Sequence, residues 1–199
     1  MSNIERVGAK AGPFVLLRRS PMLTRWKTLS SKTVSKNPWW TYKVDNYTIP
    51  NGYSGEYHYV HTGGASMVLP IGRDGKLVLV NQYRYLCERE SIEFPCGGVK
   101  EGHTYDETAT MELQEETGYR SDNIVRVAEF NPYNGVTNEI CGVYIARDLI
   151  PAQSRPDATE EFEILMCTLS EIDDMIKSNK IWDGMTLAGW ALAKDKFRV

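Results

Sequence analysis

No stretch of this 199-residue chain approaches the roughly 20 apolar residues that a membrane span requires. Near its start the longest apolar run, Pro13 to Leu17, is too short for the core of a secretory signal. Histidines number three and cysteines four, with no CxxC pair and no thiol at zinc-ligand spacing from His58, His61 or His103. Neither a structural zinc site nor a disulfide framework is therefore expected. Cys87, Cys96, Cys141 and Cys167 read as reduced, mostly buried thiols in a reducing compartment. The formal net charge is −3, and there is no basic run, no repeat and no low-complexity tract. That balance argues against a nucleic-acid or membrane surface. The expected location is the cytoplasm.

What is present suits one globular domain with a small appendage: 42% hydrophobic and 25% charged residues, in a length that buries a core without staples. Trp39–Ile49 reads as a strand from its aromatic and β-branched residues, and Pro50-Asn51-Gly52 as a turn. Glu56–Thr62 is a second short strand. Ala65–Ile71 and Lys76–Tyr83 flank Gly72-Arg73-Asp74-Gly75 and predict a hairpin. A glycine-rich loop at Pro95–Gly98 precedes a helix over Tyr105–Thr117. Thr104 with Glu107 makes a capping box, and Gly118 supplies the stop. Ile124–Phe130, Glu139–Ala146 and Glu161–Thr168 read as strands. Ser170–Asn179, capped by Ser170, and Thr186–Lys196 read as helices. Strands do not alternate with helices, so the order predicts a mixed α/β sandwich (α+β) rather than a doubly wound sheet.

The chemistry concentrates in Gly97–Tyr119. At 3.6 residues per turn, Glu112 and Glu116 lie about 40° apart, with Glu115 about 60° to the other side. Three carboxylates in one arc repel unless a cation sits among them, and oxygen-rich clusters suit Mg²⁺ or Mn²⁺. Ala109 and Leu113, four apart, can bury against a sheet and leave the acidic face open. A solvated acidic face is the plain alternative. The preceding glycines and the tightly marked helix ends weigh against it.

The segment resembles the Nudix box, G-x5-E-x7-R-E-U-x-E-E-x-G-U, where U is a bulky apolar residue. Gly97, Glu112, Leu113, Glu115, Glu116 and Gly118 match, and Tyr119 takes the last place. Glu93-Phe94-Pro95-Cys96-Gly97, Val80-Asn81-Gln82-Tyr83-Arg84, Gly135-Val136-Thr137-Asn138-Glu139 and Leu169–Leu192 resemble segments of the family's ADP-sugar pyrophosphatase branch. Two box positions depart: His103 stands for the first glutamate and Met111 for the arginine, a pair thought to steady the catalytic helix. Both charges are absent together, so neither is left unpaired. Asn134 stands where ADP-ribose-cleaving members often have proline.

The resemblance implies a Nudix-type α/β/α sandwich at 61–199, behind an N-terminal antiparallel β subdomain at 1–60 that makes a homodimer. It implies Mg²⁺, with Mn²⁺ as the alternative, on Glu112, Glu115, Glu116 and the Cys96 carbonyl. It implies Glu161 as catalytic base, with Glu160 second and Glu115 in support. For the nucleotide-sugar substrate it implies Arg84, Glu139, Gly97 and Gly98, with Trp26 and Trp39 or Trp40 stacking on the base. Arg84 reads equally as an arginine in an ion pair, and the tryptophans as packing. The implied reaction splits the diphosphate of ADP-ribose or a nucleoside diphosphate sugar into a nucleoside monophosphate and a sugar phosphate. The competing reading is a nucleotide-sugar sensor weakened in catalysis, which His103 and Met111 support.

Overall fold

The computed structural model describes residues 23–154 and 161–197. Strands β1 (Lys27–Lys36), β2 (Thr41–Thr48) and β3 (Ser54–His61) form an antiparallel meander in that order. β2, β3 and their turn stand where the sequence predicts them. β1 is a new finding. Ser, Thr and Lys make up eight of its ten residues and all ten are exposed, so it carries no buried alternation to read.

The remaining elements are β4 (Ala65–Pro70), β5 (Leu77–Arg84), β6 (Arg89–Glu93), β7 (Cys96–Gly98), α1 (Tyr105–Thr117), β8 (Tyr119–Arg120) and β9 (Asn123–Phe130). They continue with β10 (Cys141–Arg147), β11 (Ile150–Pro151), β12 (Glu163–Cys167), α2 (Leu169–Lys177) and α3 (Gly184–Ala193). One sheet runs β7-β4-β10-β9, with β10 parallel to β4 and the other pairs antiparallel. Another, antiparallel throughout, runs β12-β5-β6. β8 and β11 form a small separate pair.

The predicted hairpin of β4 with β5 is corrected. Its turn forms, with Gly75 N–H donating to Gly72 O at 3.0 Å, but beyond one bridge between Ile71 and Leu77 the strands part into different sheets. The reason is burial. All of Ala65–Pro70 and the stretch Leu77–Val80 are buried, and strands apolar on both faces need cover on both. The glycine loop at Cys96–Gly98 is likewise a strand, paired on β4.

The layers follow from strand parity. Met67, Leu69, Val143 and Ile145 face Leu77, Leu79, Ile92 and Phe94 of the second sheet, with Ile172 of α2 and Trp190 of α3. Val68, Tyr144 and Ala146 point the other way and bury Ala109 and Leu113 of α1. The result is the predicted α/β/α sandwich.

α1 has the expected ends. Thr104 Oγ1 accepts from Glu107 N at 3.2 Å, Glu107 Oε2 accepts from Thr104 N at 2.7 Å, and Gly118 turns at φ 70°. For α2 the cap is Thr168, not Ser170. A reciprocal box needs glutamate or glutamine three residues on; Thr168 has Glu171, whereas Ser170 has only the shorter Asp173. α3 starts two residues earlier than predicted, because Asp183 Oδ2 caps Thr186 N at 2.7 Å.

These caps have a pH signature. The Thr104 backbone N–H and hydroxyl hold Glu107 below the usual carboxylate range, and Thr168 does the same for Glu171. A depressed carboxylate contributes stability above its unfolded pKa and loses it as pH falls through its folded pKa. The melting temperature should therefore drop as the pH goes below about 4. In Glu107→Gln/Glu171→Gln, which keeps the box without a titrating group, the slope should be shallower. An equally steep acid slope in that variant would remove the caps from the explanation.

Candidate active site

Burial of Ala109 and Leu113 against Val68, Tyr144 and Ala146 sets the rotation of α1. It leaves Glu112 and Glu115 half-buried and takes Glu116 to 5% exposure. Glu116 Oε2 accepts from Cys96 N at 3.4 Å. The Glu112 carboxylate packs over Gly97, where even a methyl group would collide with it. Two of the three predicted carboxylates thus converge on the Cys96–Gly97 backbone.

That backbone floors a cleft of about 280 Å³. Of the predicted site residues, Trp39, Arg84, Cys96, Gly97, Gly98 and Glu139 line it. Glu139 Oε2 accepts from Thr62 Oγ1 at 2.9 Å, which sets its carboxylate at the rim. The Cys96 thiol is disfavoured as a nucleophile. Its hydrogen bond with Cys141, burial, and the nearby Glu116 and Glu112 carboxylates all push it well above the ordinary thiol range.

Arg84 lines the cleft and is also ion-paired. Its Nε donates to Glu93 Oε1 at 2.7 Å, and its Nη2 donates to Glu93 Oε2 in a fork-to-carboxylate pair. Glu93 is 4% exposed. The hydrogen bonds to Glu93 raise the Arg84 pKa; burial opposes this, and the charges of Glu93, Asp183 and Glu116 reinforce it. Sequence reasoning passed over Glu93 as a site residue. The signal was available, because a carboxylate between Ile92 and Phe94 in a buried strand demands a cationic partner. Asp183 and Met185 also line the cleft unforeseen. Trp182 places them: its Nε1 donates to Glu90 O at 3.1 Å and its ring lies 3.6 Å from the Arg89 guanidinium.

Other candidates lie elsewhere. Trp26 stacks on Tyr47 with centroids 4.5 Å apart, so it sits on the N-terminal sheet rather than at the cleft. Trp40 is 42% exposed and outside the lining. The Glu115 carbonyl accepts from Ser154 Oγ at 2.7 Å, and its side chain, like those of Glu112 and Glu116, is not among the cleft's lining. Glu161 is exposed, just ahead of β12, outside the lining. Glu160 lies outside the described residues.

Among the described residues no three His, Cys, Asp or Glu side chains stand grouped as a metal cage. The donors still suit Mg²⁺, which keeps several waters and takes one or two carboxylates together with substrate oxygens. Glu112 and Glu116 are two such carboxylates, and Gly97, without a Cβ, gives Glu112 room to lie against the backbone.

The comparisons with known proteins agree with this fold. The NUDIX domain model matches residues 60–186. An ADP-ribose pyrophosphatase of Bacillus subtilis is 29% identical over 167 residues, covering 80% of this chain and 90% of that protein. A methanol dehydrogenase activator of Bacillus methanolicus is 30% identical over 163 residues, covering 81% and 88%. A crystal structure of an ADP compounds hydrolase superposes with a TM-score of 0.78 at 21% identity, over 90% of this chain and 97% of that one, and so shares the fold. The domain match spans most of the sequence and most of the sandwich: this chain belongs to the Nudix family.

Proposed function

We propose that this protein hydrolyses the diphosphate bond of ADP-ribose or a nucleoside diphosphate sugar, releasing a nucleoside monophosphate and a sugar phosphate. The observation that carries this reading is the convergence of Glu112 and Glu116 on Cys96–Gly97, the backbone that lines one cleft with Arg84. The relative named an ADP-ribose pyrophosphatase supports the substrate class.

Glu112 and Glu116 hold the cation, with the Cys96 carbonyl and Glu115 in support. When bound, Mg²⁺ or Mn²⁺ supplies positive charge that offsets the repulsion between a diphosphate and an attacking water. Arg84, its plane fixed by Glu93, presents its remaining N–H groups to phosphate oxygens. Gly97 and Gly98 let the substrate approach the backbone. Glu139 accepts from substrate or metal-ligand groups at the rim. Glu161, or Glu160 beside it, takes the proton of the attacking water. Trp39, the tryptophan that lines the cleft, stacks on the base, worth roughly 1–3 kcal/mol. That sheet leaves Leu29 and Val34 exposed on β1, which supports a homodimer through the N-terminal strands of residues 1–60. No helix among the described residues is long and apolar enough to cross a membrane. A cytoplasmic enzyme accords with the cysteine usage.

The test is release of phosphomonoester from ADP-ribose, from ADP-, GDP- and UDP-sugars and from nucleoside triphosphates, each with Mg²⁺, Mn²⁺ or chelator. Metal-dependent release from one sugar class supports the reading and names the substrate. Ligand binding without any release would make the chain a sensor. Within that assay Glu161→Gln should lower turnover about a hundredfold or more while Mn²⁺ binding stays intact. An unchanged rate would remove Glu161 from the mechanism.

A further inference from the structure

We propose that the hydrogen bond from Tyr144 to Asp106 is a positioning contact: it sets the axial register of α1, and through it the placement of Glu112 and Glu116. It stands in for the box ion pair that His103 and Met111 cannot make. This rests on the metal-site reading above.

The need follows from the packing. Ala109 and Leu113 decide which face of α1 meets the sheet, but apolar contact is not directional and tolerates sliding along the helix axis. A slip of one residue is about 1.5 Å, enough to carry both carboxylates away from Cys96–Gly97. With exposed His103 and half-buried Met111 at the two box positions, no ion pair there resists that slip.

Directional contacts exist at the first turn instead. Tyr144 Oη donates to Asp106 Oδ1 at 2.7 Å, and Ser66 Oγ donates to the Tyr105 carbonyl at 2.7 Å. Tyr144 and Ser66 are 1% and 0% exposed. They come from paired neighbours, since Val68 stands opposite Tyr144 and Ser66 opposite Gly142 in the β4/β10 ladder. Two adjoining strands therefore grip two consecutive helix residues. The Arg126 guanidinium, 5.1 Å from the Tyr105 ring, closes the outer side. At the far end Gln114 and the Glu115 carbonyl bond Gln153 and Ser154, which are themselves at the surface. The first turn is thus the end gripped by the buried Tyr144 and Ser66. Glu112 follows Asp106 by about 9 Å of helix rise, a span a helix holds rigidly.

The test uses the full-length chain and reads Mn²⁺ affinity from the loss of the free-ion spin-resonance signal, so it does not depend on turnover. Tyr144→Phe should weaken Mn²⁺ binding about fivefold, the equivalent of one ordinary hydrogen bond. Adding His103→Glu and Met111→Arg to that variant should restore the affinity by rebuilding the family's own pair. A merely structural Tyr144 would lower the melting temperature and show no such rescue. Should Tyr144→Phe fail to fold, Asp106→Ala breaks the same bond from the exposed side and is expected to weaken binding alike. Unchanged affinity in a folded variant, or a loss the restored pair does not repair, overturns the proposal. A wild-type chain that binds Mn²⁺ but cleaves nothing in the panel overturns the hydrolase reading and leaves this one to be judged on its affinities. A wild-type chain that takes up no Mn²⁺ overturns both.

Discussion

Glu116→Gln is expected to lower turnover of the preferred diphosphate about a thousandfold, equivalent to roughly 4 kcal/mol of barrier. The substitution keeps the shape of a side chain that is 5% exposed, and it keeps an oxygen to accept from Cys96 N. What it removes is charge. The fold should hold while activity falls, and steady-state rates with Mg²⁺ beside a thermal melt of the variant separate the two. Wild-type turnover in Glu116→Gln would remove the α1 carboxylates from the chemistry.

Gly97→Ala should cost about a hundredfold in turnover with little loss of stability, the size expected when a catalytic group is displaced by about 1 Å. The new methyl would meet the Glu112 carboxylate, the flexible end of a side chain, so the fold can yield where the function cannot. Gly97 has no left-handed φ, and alanine strains nothing in its backbone. One residue on, a Cβ at Gly98 would find its nearest neighbour, Gly64 O, at 3.9 Å, which is ordinary contact. Gly98→Ala should therefore lose far less. Equal losses at both glycines would assign the effect to crowding of the cleft and not to Glu112.

What the sequence disclosed depended on how local its cause was. α1 was legible to its last residue, because Thr104, Glu107, Gly118 and the Ala109/Leu113 face all act within a few positions of one another. The acidic cluster was legible for the same reason. β1 was not, since an entirely exposed strand is defined by the partner it pairs with and not by its own pattern. The split of β4 from β5 was hidden because both are apolar and only the competition for cover decides between them. Glu93 escaped notice as the holder of Arg84. The two share a face of the β5/β6 hairpin, but the register that puts them there, Val80 with Glu93 and Arg84 with Arg89, cannot be read along one strand. Trp26 and Tyr47 found one another across β1 and β2 by the same kind of pairing.

The parallel ladder of β4 with β10 also bears on how the chain comes to its fold. Residues 65–70 must wait for residues 141–147, and residues 77–81 for residues 163–167. Contacts so distant in sequence are slow to form, because chain entropy is lost before they reward it. The N-terminal meander, whose strands adjoin in sequence, has no such wait. During synthesis it can be complete while α1, already emerged, has only the β4 half of its bed. Only when Cys141–Arg147 leaves the ribosome does Tyr144 arrive, and with it the second strand on which the carboxylate helix is seated.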